Sequence, residues 1–140
     1  MKINNILAIT TILTAIGLAI PVQATQTDDI INLLKTNTCS ECNLSGANLS
    51  GAHLVGADLR NANLAGANLE GANLEGADLA GANLVGANLT GVFASDASFI
   101  LANLNNANLK DAHLVSAELA GANIAGTNVR ESNLLGANFR

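Results

Sequence analysis

Apolar and polar residues follow one another along most of this chain with a period of five. Leu, or a residue that replaces it, falls at every fifth position from 44 to 139, and Ala stands two residues before most of these centres. The residue between them is usually Asn or Asp, and Gly often follows two residues after the centre. A period of five matches neither the 3.6 residues of a helical turn nor the alternation of a strand. It predicts a chain that bends at each fifth residue and points every fifth side chain at one axis, which is a solenoid.

The bends are assigned to the glycines. Gly two residues after a centre suits the third position of a type II turn, where φ is positive. Five successive repeats, with this position at residues 96, 101, 106, 111 and 116, lack the glycine. Because Leu101 in particular would resist a positive φ, we expect a different type of turn at these five corners.

The run GANLSGAHLVGADLRNANLAGANLEGANLEGADL follows the pattern A-[DN]-L-x-x almost throughout. This pattern resembles the pentapeptide-repeat family, and the resemblance covers residues 40–140. It implies an all-β solenoid, a right-handed quadrilateral β-helix with four repeats per coil and about five coils. A leucine-rich repeat would have a longer unit, and a disordered low-complexity chain would lack the regular apolar pattern. The inward core columns would then include Leu44, Leu49, Leu54, Leu59, Phe99 and Phe139.

Residues 1–24 are predicted to be a cleaved secretory signal peptide. Lys2 provides a short basic start, residues 6–20 are mostly apolar, and Val22 and Ala24 are small enough for a signal peptidase site. The apolar segment is shorter than the about 20 residues that span a bilayer, so an uncleaved anchor is the less favoured alternative. We expect cleavage after Ala24 and no stable membrane span thereafter. The resemblance to exported cyanobacterial members of the family implies the periplasm or the thylakoid lumen.

Residues 25–38 are predicted to form an N-terminal cap helix and its junction with the β-helix domain, residues 39–140. Thr27 suits an N-cap, Asp28 and Asp29 suit the first helical turn, and Lys35 suits the last. So short a helix is marginal alone. The open first coil of a solenoid needs a cover for its strand edges and core, and the helix would supply it.

Cys39 and Cys42 are the only two cysteines of the chain. Both fall on inward positions when the repeat is extended backwards from Leu44. In an exported protein such a pair favours a disulfide. A thiol-redox function through these cysteines is an alternative, although the chain lacks the βαβ setting of thioredoxin-like proteins.

The chain is acidic, with a formal charge of −5, or −6 once Lys2 is removed. Nucleic-acid binders need a basic face, so no nucleic-acid partner is expected. With four repeats per coil, Asp58, Asp78 and Glu118 share one column, which Ser98 interrupts. This acidic column could attract a cation or a basic partner, or it could be a solvated strip, and the sequence leaves the choice open.

No catalytic, cofactor or metal site is predicted, and we do not expect an enzyme. His53 and His113 share a column but lie three coils apart, about 14 Å on the spacing of strands, which is too far for one metal ion. The outward rows of Asn are expected to bond to one another and to the backbone of the corners.

One outward group breaks the polar pattern in the C-terminal coils, which we call the lower coils. It falls on the third and fourth sides, counted from the side that carries Asn43. A contiguous apolar surface marks an interaction site, so we expect an unidentified protein partner, or self-association, through this region. The group consists of Phe93, Ile100, Leu101, Val115 and Leu135.

The leading interpretation is therefore a non-catalytic structural or protein-interaction rod of an extracytoplasmic compartment. One alternative follows the quinolone-resistance branch of the family, whose acidic rods mimic DNA and protect gyrase. This chain differs from that branch in its signal peptide, its small number of coils and its modest charge. The thiol-redox factor is the second alternative.

Overall fold

The computed structural model of the chain describes residues 21–140, with side chains from residue 26 onward. It contains one helix, α1 (Pro21–Thr36), followed by a β-helix. Most of the predicted signal peptide, residues 1–20, lies outside the described residues.

Parallel bridges between residues 20 apart hold the β-helix together. Each bridge joins the residue before a centre to its counterpart one turn later, as in Asn43 with Asn63 and Asn63 with Asn83. The bridges run from Thr38 to Asn138, and each is one residue wide, so no longer strand forms within residues 21–140. Because four repeats separate two bridged residues, one turn has four sides.

Every side makes the same backbone hydrogen bonds. The amide of the centre Leu64 donates to the carbonyl of Asn83 one turn later at 2.7 Å, and the amide of Asn63 donates back to Cys42 at 2.9 Å. A further bond closes the corner, from the amide of Ala67 to the carbonyl of Leu64 at 3.0 Å. The backbone is therefore paired without extended strands.

The Leu and Ala positions face the interior of the four-sided tube. Every centre from Leu44 to Leu119 is buried, and among these are the predicted core positions Leu49, Leu54, Leu59 and Phe99. Removing this apolar surface from water is the main stabilising contribution, at about 25 cal/mol for each Å².

The last turn differs from the prediction. Phe139, predicted as a core residue, is 47% exposed, and Ile124 and Val129 at equivalent positions are exposed as well. A centre is covered by the turns before and after it, and within the described residues no turn follows these three.

Polar side chains replace Ala at two inward positions of this turn. The hydroxyl of Thr127 donates to the carbonyl of Leu104 at 2.8 Å, and that of Ser132 donates to the carbonyl of Leu109 at 2.7 Å. These bonds satisfy inward polar groups at the end of the tube.

The corners all have the same conformation, so the predicted change of turn type was wrong. The twelve corner glycines have φ between 62° and 72°, and the five non-glycine corners from Asp96 to Ser116 have φ between 56° and 59°. The amide at each corner from Glu41 to Ser116 donates to the next turn, as from Leu101 to the carbonyl of Ala120 at 2.9 Å. Another type of turn would break this bond, and the ladder therefore imposes a left-handed residue at a cost of about 1–2 kcal/mol.

Some non-glycine corner side chains lie over a glycine of the next turn. A Cβ added to Gly121 would be 2.7 Å from Cδ2 of Leu101, and one added to Gly81 would collide with the amide oxygen of Asn61. Glycine at these two positions therefore serves both the positive φ and the close approach of a neighbour.

α1 begins earlier than the sequence predicts. Its first residue is Pro21, so Thr27 lies inside the helix rather than at its N-cap, and neither Asp28 nor Asp29 is in the first turn. Proline suits the first turn of a helix because its missing amide hydrogen needs no partner there. Lys35 is in the last turn, as predicted.

α1 packs on the first turn of the β-helix. Leu33 is fully buried and Ile30 packs against the core. The carboxylate of Asp29 accepts a hydrogen bond from the amide of Asn43 at 2.9 Å. The helix is closed by Asn37, which has φ of 60° and donates its amide to the carbonyl of Leu33 at 2.8 Å.

Cys39 and Cys42 form a disulfide in the first turn. Cys39 is buried, and its amide donates to the carbonyl of Asp58 at 2.7 Å. Its Sγ lies 3.3 Å from the backbone oxygen of Asp29, a contact without a hydrogen bond because an oxidised sulfur carries no proton. The disulfide thus lies directly under α1.

The substitution Gly121→Ala should destabilise the protein slightly more than Gly76→Ala, as measured by urea denaturation, because the exposed side chain of Leu101 must turn aside. Both glycines have positive φ, so both substitutions introduce a left-handed alanine. Only at Gly121 does the new Cβ meet a neighbour, the side chain of Leu101. Adding Leu101→Ala should remove the extra cost, and equal losses in the two single variants would contradict this packing.

Replacing both Cys39 and Cys42 by Ala should lower the free energy of unfolding by about 2 kcal/mol, the loop-closure entropy of so short a loop. Denaturation of the untreated protein, the reduced protein and the double variant measures the effect, and the double variant should lose at least as much as the reduced protein because Ala also removes the buried sulfur of Cys39. Two free thiols in the purified, unreduced protein, detected by mass spectrometry, would contradict the disulfide.

Candidate interaction surface

The bridge rows define four sides of the rod, and each side continues through a corner into the next. We number the sides by the bridge residues that they carry: side 1 has 43, 63, 83, 103 and 123; side 2 has 48, 68, 88, 108 and 128; side 3 has 53, 73, 93, 113 and 133; side 4 has 58, 78, 98, 118 and 138.

Sides 1 and 2 carry Asn at every bridge position, and the fold uses these side chains. The amide group of Asn63 donates to Oδ1 of Asn43 at 3.4 Å, and that of Asn83 donates to Oδ1 of Asn63 at 3.2 Å. The same Oδ1 of Asn63 accepts the backbone amide of Ala65 at 3.2 Å. The predicted stacking of amides on one another and on the corner backbone is confirmed. These oxygens are therefore engaged within the fold.

Side 4 brings the acidic column together. Bridges join Asp58 to Asp78, Asp78 to Ser98, and Ser98 to Glu118. Arg60 binds Asp58 with two hydrogen bonds, from Nε at 2.8 Å and from Nη2 at 2.7 Å, and its Nε lies 3.7 Å from a carboxylate oxygen of Asp78. The guanidinium therefore offsets the negative charge at the upper end of side 4.

Side 3 carries the two histidines. His113 stacks on Phe93, with ring centroids 5.0 Å apart and an angle of 6° between the planes. His53 belongs to the same side, in the first turns. Within residues 21–140 no group of three or more His, Cys, Asp or Glu side chains is placed to hold a metal ion.

The five apolar residues of the predicted patch are exposed to different degrees. Leu101 and Leu135 are 70% and 73% exposed, Phe93 is 44% exposed, Ile100 is also exposed, and Val115 is partly buried. They do not share one side. Phe93 lies on side 3, Val115 and Leu135 lie at the corner between sides 3 and 4, and Ile100 and Leu101 lie at the corner between sides 4 and 1. Side 4 therefore runs between two apolar corners.

Sequence reasoning missed two further exposed apolar residues. Val55 is 52% exposed and lies in the same corner row as Val115 and Leu135, three and four turns above them. Leu34 is 42% exposed on α1. An apolar residue directly after a centre was the signal that could have identified Val55.

The substitution Arg60→Gln should raise the pKa of Asp58. The side-chain hydrogen bond from Arg60, assisted by its charge, holds this pKa below the usual range of a carboxyl group. A lowered pKa in the folded state stabilises the protein above the usual carboxyl pKa, and this stabilisation is lost as the pH falls through the lower, folded-state pKa. The difference in unfolding free energy between the wild type and the variant should therefore shrink in acid.

NMR titration of the Asp58 carboxyl carbon measures this shift, and Arg130→Gln is the control that should leave it unchanged. An unchanged pKa of Asp58 in the Arg60→Gln variant would show that the ion pair does not form in solution.

No helix among residues 21–140 is long and apolar enough to cross a bilayer.

The profile of the family described as Pentapeptide repeats matches the chain in eight copies, over residues 42–81, 77–114 and 117–140, which together are more than half of its length. No significant match was found among curated protein sequences.

Several solved structures resemble the chain. A pentapeptide repeat protein from the cyanobacterium Cyanothece 51142 is 31% identical, with 81% of this chain and 95% of that chain covered and a TM-score of 0.44. One from the thylakoid lumen of Arabidopsis thaliana is 33% identical over 74% of this chain and 66% of that chain, with a TM-score of 0.35. QnrB1, a plasmid-mediated fluoroquinolone resistance protein, is 21% identical over 73% of this chain and 67% of that chain, with a TM-score of 0.33.

The profile match covers most of the residues that form the bridges, which join residues four repeats apart. Members of this family form right-handed quadrilateral β-helices. The chain belongs to the pentapeptide repeat family.

Proposed function

We propose that this protein is a non-catalytic interaction rod of an extracytoplasmic compartment, and that it contacts a protein partner or a second copy through its lower turns. The exposure of Phe93, Leu101 and Leu135 on a framework with mostly polar outward positions carries the proposal. Exposed apolar residues that recur on neighbouring turns are typical of a surface that another protein covers.

The framework suits such a role because the backbone ladder and the asparagine stacks leave its sides little freedom. A rigid surface loses little conformational entropy when it binds. The proposal that the rod is non-catalytic rests on the general character of pentapeptide repeat proteins, which are structural repeat proteins.

The extracytoplasmic location rests on the signal-like N-terminal sequence and on the presence of a family member in the Arabidopsis thylakoid lumen. Cleavage after Ala24 would remove the first four residues of α1 and leave 25–36. The contacts of Asp29 and Leu33 with the first turn would then be retained. A disulfide between Cys39 and Cys42 is also favoured by an oxidising compartment.

Both alternative functions have less support. A DNA mimic needs extended rows of carboxylates, whereas Arg60 pairs with Asp58 and Ser98 interrupts the column on side 4. A thiol-redox factor needs an accessible sulfur, and Cys39 is buried beneath α1.

A photo-reactive p-benzoylphenylalanine placed at Phe93 or Leu135 should cross-link the exported protein to a protein of its compartment or to a second copy. The same group at Val55, an exposed apolar position in the upper turns, is the matched control and should give no such product. Mass spectrometry identifies the cross-linked proteins and the N-terminus of the mature chain, which should be Thr25.

Equal cross-linking from Val55 and from the lower positions would contradict a contact through the lower turns. Retention of a reporter fusion in the cytoplasm would contradict export.

A further inference from the structure

We infer that the corner between sides 4 and 1 is a docking ridge for a basic amphipathic segment of a protein partner. The docking ridge consists of Ile100 and Leu101, with Ala80 above them and Ala120 below them. This inference rests on the proposed interaction function and specifies the surface and the chemistry of the partner.

Leu101 is the residue that the fold itself accepts least readily at this corner. Its φ is 59°, and the neighbouring turns have glycine in the same row, at Gly81 and Gly121. Leucine is strained in this conformation, and its 70% exposure means that burial in the chain does little to offset the strain. The fold requires a left-handed residue at this corner but does not require a leucine, and residues held in strained conformations cluster at functional positions.

The shape of the corner makes Ile100 and Leu101 accessible to a partner. The positions one turn above and below Ile100 are Ala80 and Ala120, whose side chains are small. Leu101 extends over Gly121, where the missing Cβ leaves room for Cδ2 of the leucine. A helix or an extended segment can therefore approach the ridge closely and cover both apolar side chains.

Carboxylates lie beside the docking ridge on side 4. Asp78 and Glu118 bridge directly to Ser98, two residues before Ile100, from the turns above and below. Asp96 lies exposed at the other corner of the same side. Arg60 partly neutralises Asp78 at 3.7 Å, whereas neither Glu118 nor Asp96 forms an ion pair among residues 21–140. An apolar ridge beside these two carboxylates is complementary to a segment that carries both apolar and cationic side chains.

The cations of the same corner row lie farther away. Arg60 and Arg140 are each two turns from Ile100, about 10 Å on the spacing of strands. Arg60 binds Asp58 at 2.7 Å, and its Nε also lies 3.7 Å from Asp78, so it offsets the charge of these two carboxylates. The negative environment of the ridge therefore comes from Glu118 and Asp96.

This charge also disfavours a second copy as the occupant. The chain has a net charge of −5, and two docking ridges placed face to face would bring like charges together. A basic amphipathic segment of another protein is thus the occupant that the surface favours.

The test uses a fluorescent peptide of about 18 residues, five helical turns, built from Leu and Lys with the leucines on one face. Fluorescence anisotropy at low ionic strength should show binding to the purified protein. Leu101→Gly should weaken this binding by about tenfold, a change of about 1.4 kcal/mol in binding free energy. The control Leu34→Ala changes an exposed leucine on α1 and should leave the affinity unchanged. Asp78→Asn combined with Glu118→Gln should weaken binding and reduce its dependence on salt.

The expected loss of peptide binding cannot be attributed to unfolding of the Leu101→Gly variant, because glycine relieves the backbone strain at this corner. The urea midpoint of this variant should equal or exceed that of the wild type. Equal affinity of Leu101→Gly and the wild type, or equal binding of a peptide with Glu in place of Lys, would overturn the inference. Self-association of the wild type that Leu101→Gly abolishes, measured by sedimentation, would also overturn it.

The outcomes separate this inference from the proposed function. Cross-links from Phe93 and Leu135 together with an unchanged affinity of Leu101→Gly would keep the interaction rod and remove the docking ridge. Ridge-dependent peptide binding without cross-links from those two positions would keep the ridge and remove the contact through Phe93 and Leu135.

Discussion

A left-handed residue at every fifth position is the constraint on which this structure depends. The amide at each corner from Glu41 to Ser116 donates to the next turn, so these corners cannot adopt another conformation without losing a bond of the ladder, as at Leu101 and Ala120. The ladder keeps bridged residues 20 apart, and this register stacks each leucine centre on the centre 20 residues before it. Side-chain preference at the corner is worth about 1–2 kcal/mol, which is too little to change the register of a whole turn.

This constraint separates the residues that build the rod from those that can vary. Inward Leu and Ala fill the tube, and the outward Asn of sides 1 and 2 bond to one another and to the backbone. On side 4, Asp78 likewise accepts the backbone amide of Ala80 at 3.0 Å, but the bridge positions of this side do not repeat one residue type. Side 4 and its two corners carry the carboxylates, the paired guanidinium of Arg60 and the exposed leucines. The surface with variable chemistry is also the one to which the interaction is assigned.

The repeat was sufficient to predict which residues face inward, and the family resemblance supplied the four-sided register. Three features depended on context that a local pattern does not contain. Leu101 adopts a positive φ because the ladder overrides its own preference. Phe139 has the pattern of a core residue, but burial needs a covering turn on both faces. Thr27 has the chemistry of an N-cap, whereas the helix begins at Pro21, a residue that the sequence analysis read as part of the signal peptide.

The candidate surface likewise contains residues that the repeat predicts and contacts that it does not. An apolar residue at an outward position could be recognised from the repeat alone, as for Phe93 and Leu135. The stacking of His113 on Phe93 and the double hydrogen bond of Arg60 to Asp58 depend on side-chain rotamers, which the repeat does not specify.

The most direct test of the left-handed corners is the intraresidue NOE between the amide and Hα protons of the five non-glycine corners from Asp96 to Ser116, since a left-handed residue brings these two protons close together. We predict that Leu101 and its four counterparts give NOEs as strong as that of Asn61, a corner with φ of 56°. Weak NOEs at these corners, as expected for negative φ, would contradict the account.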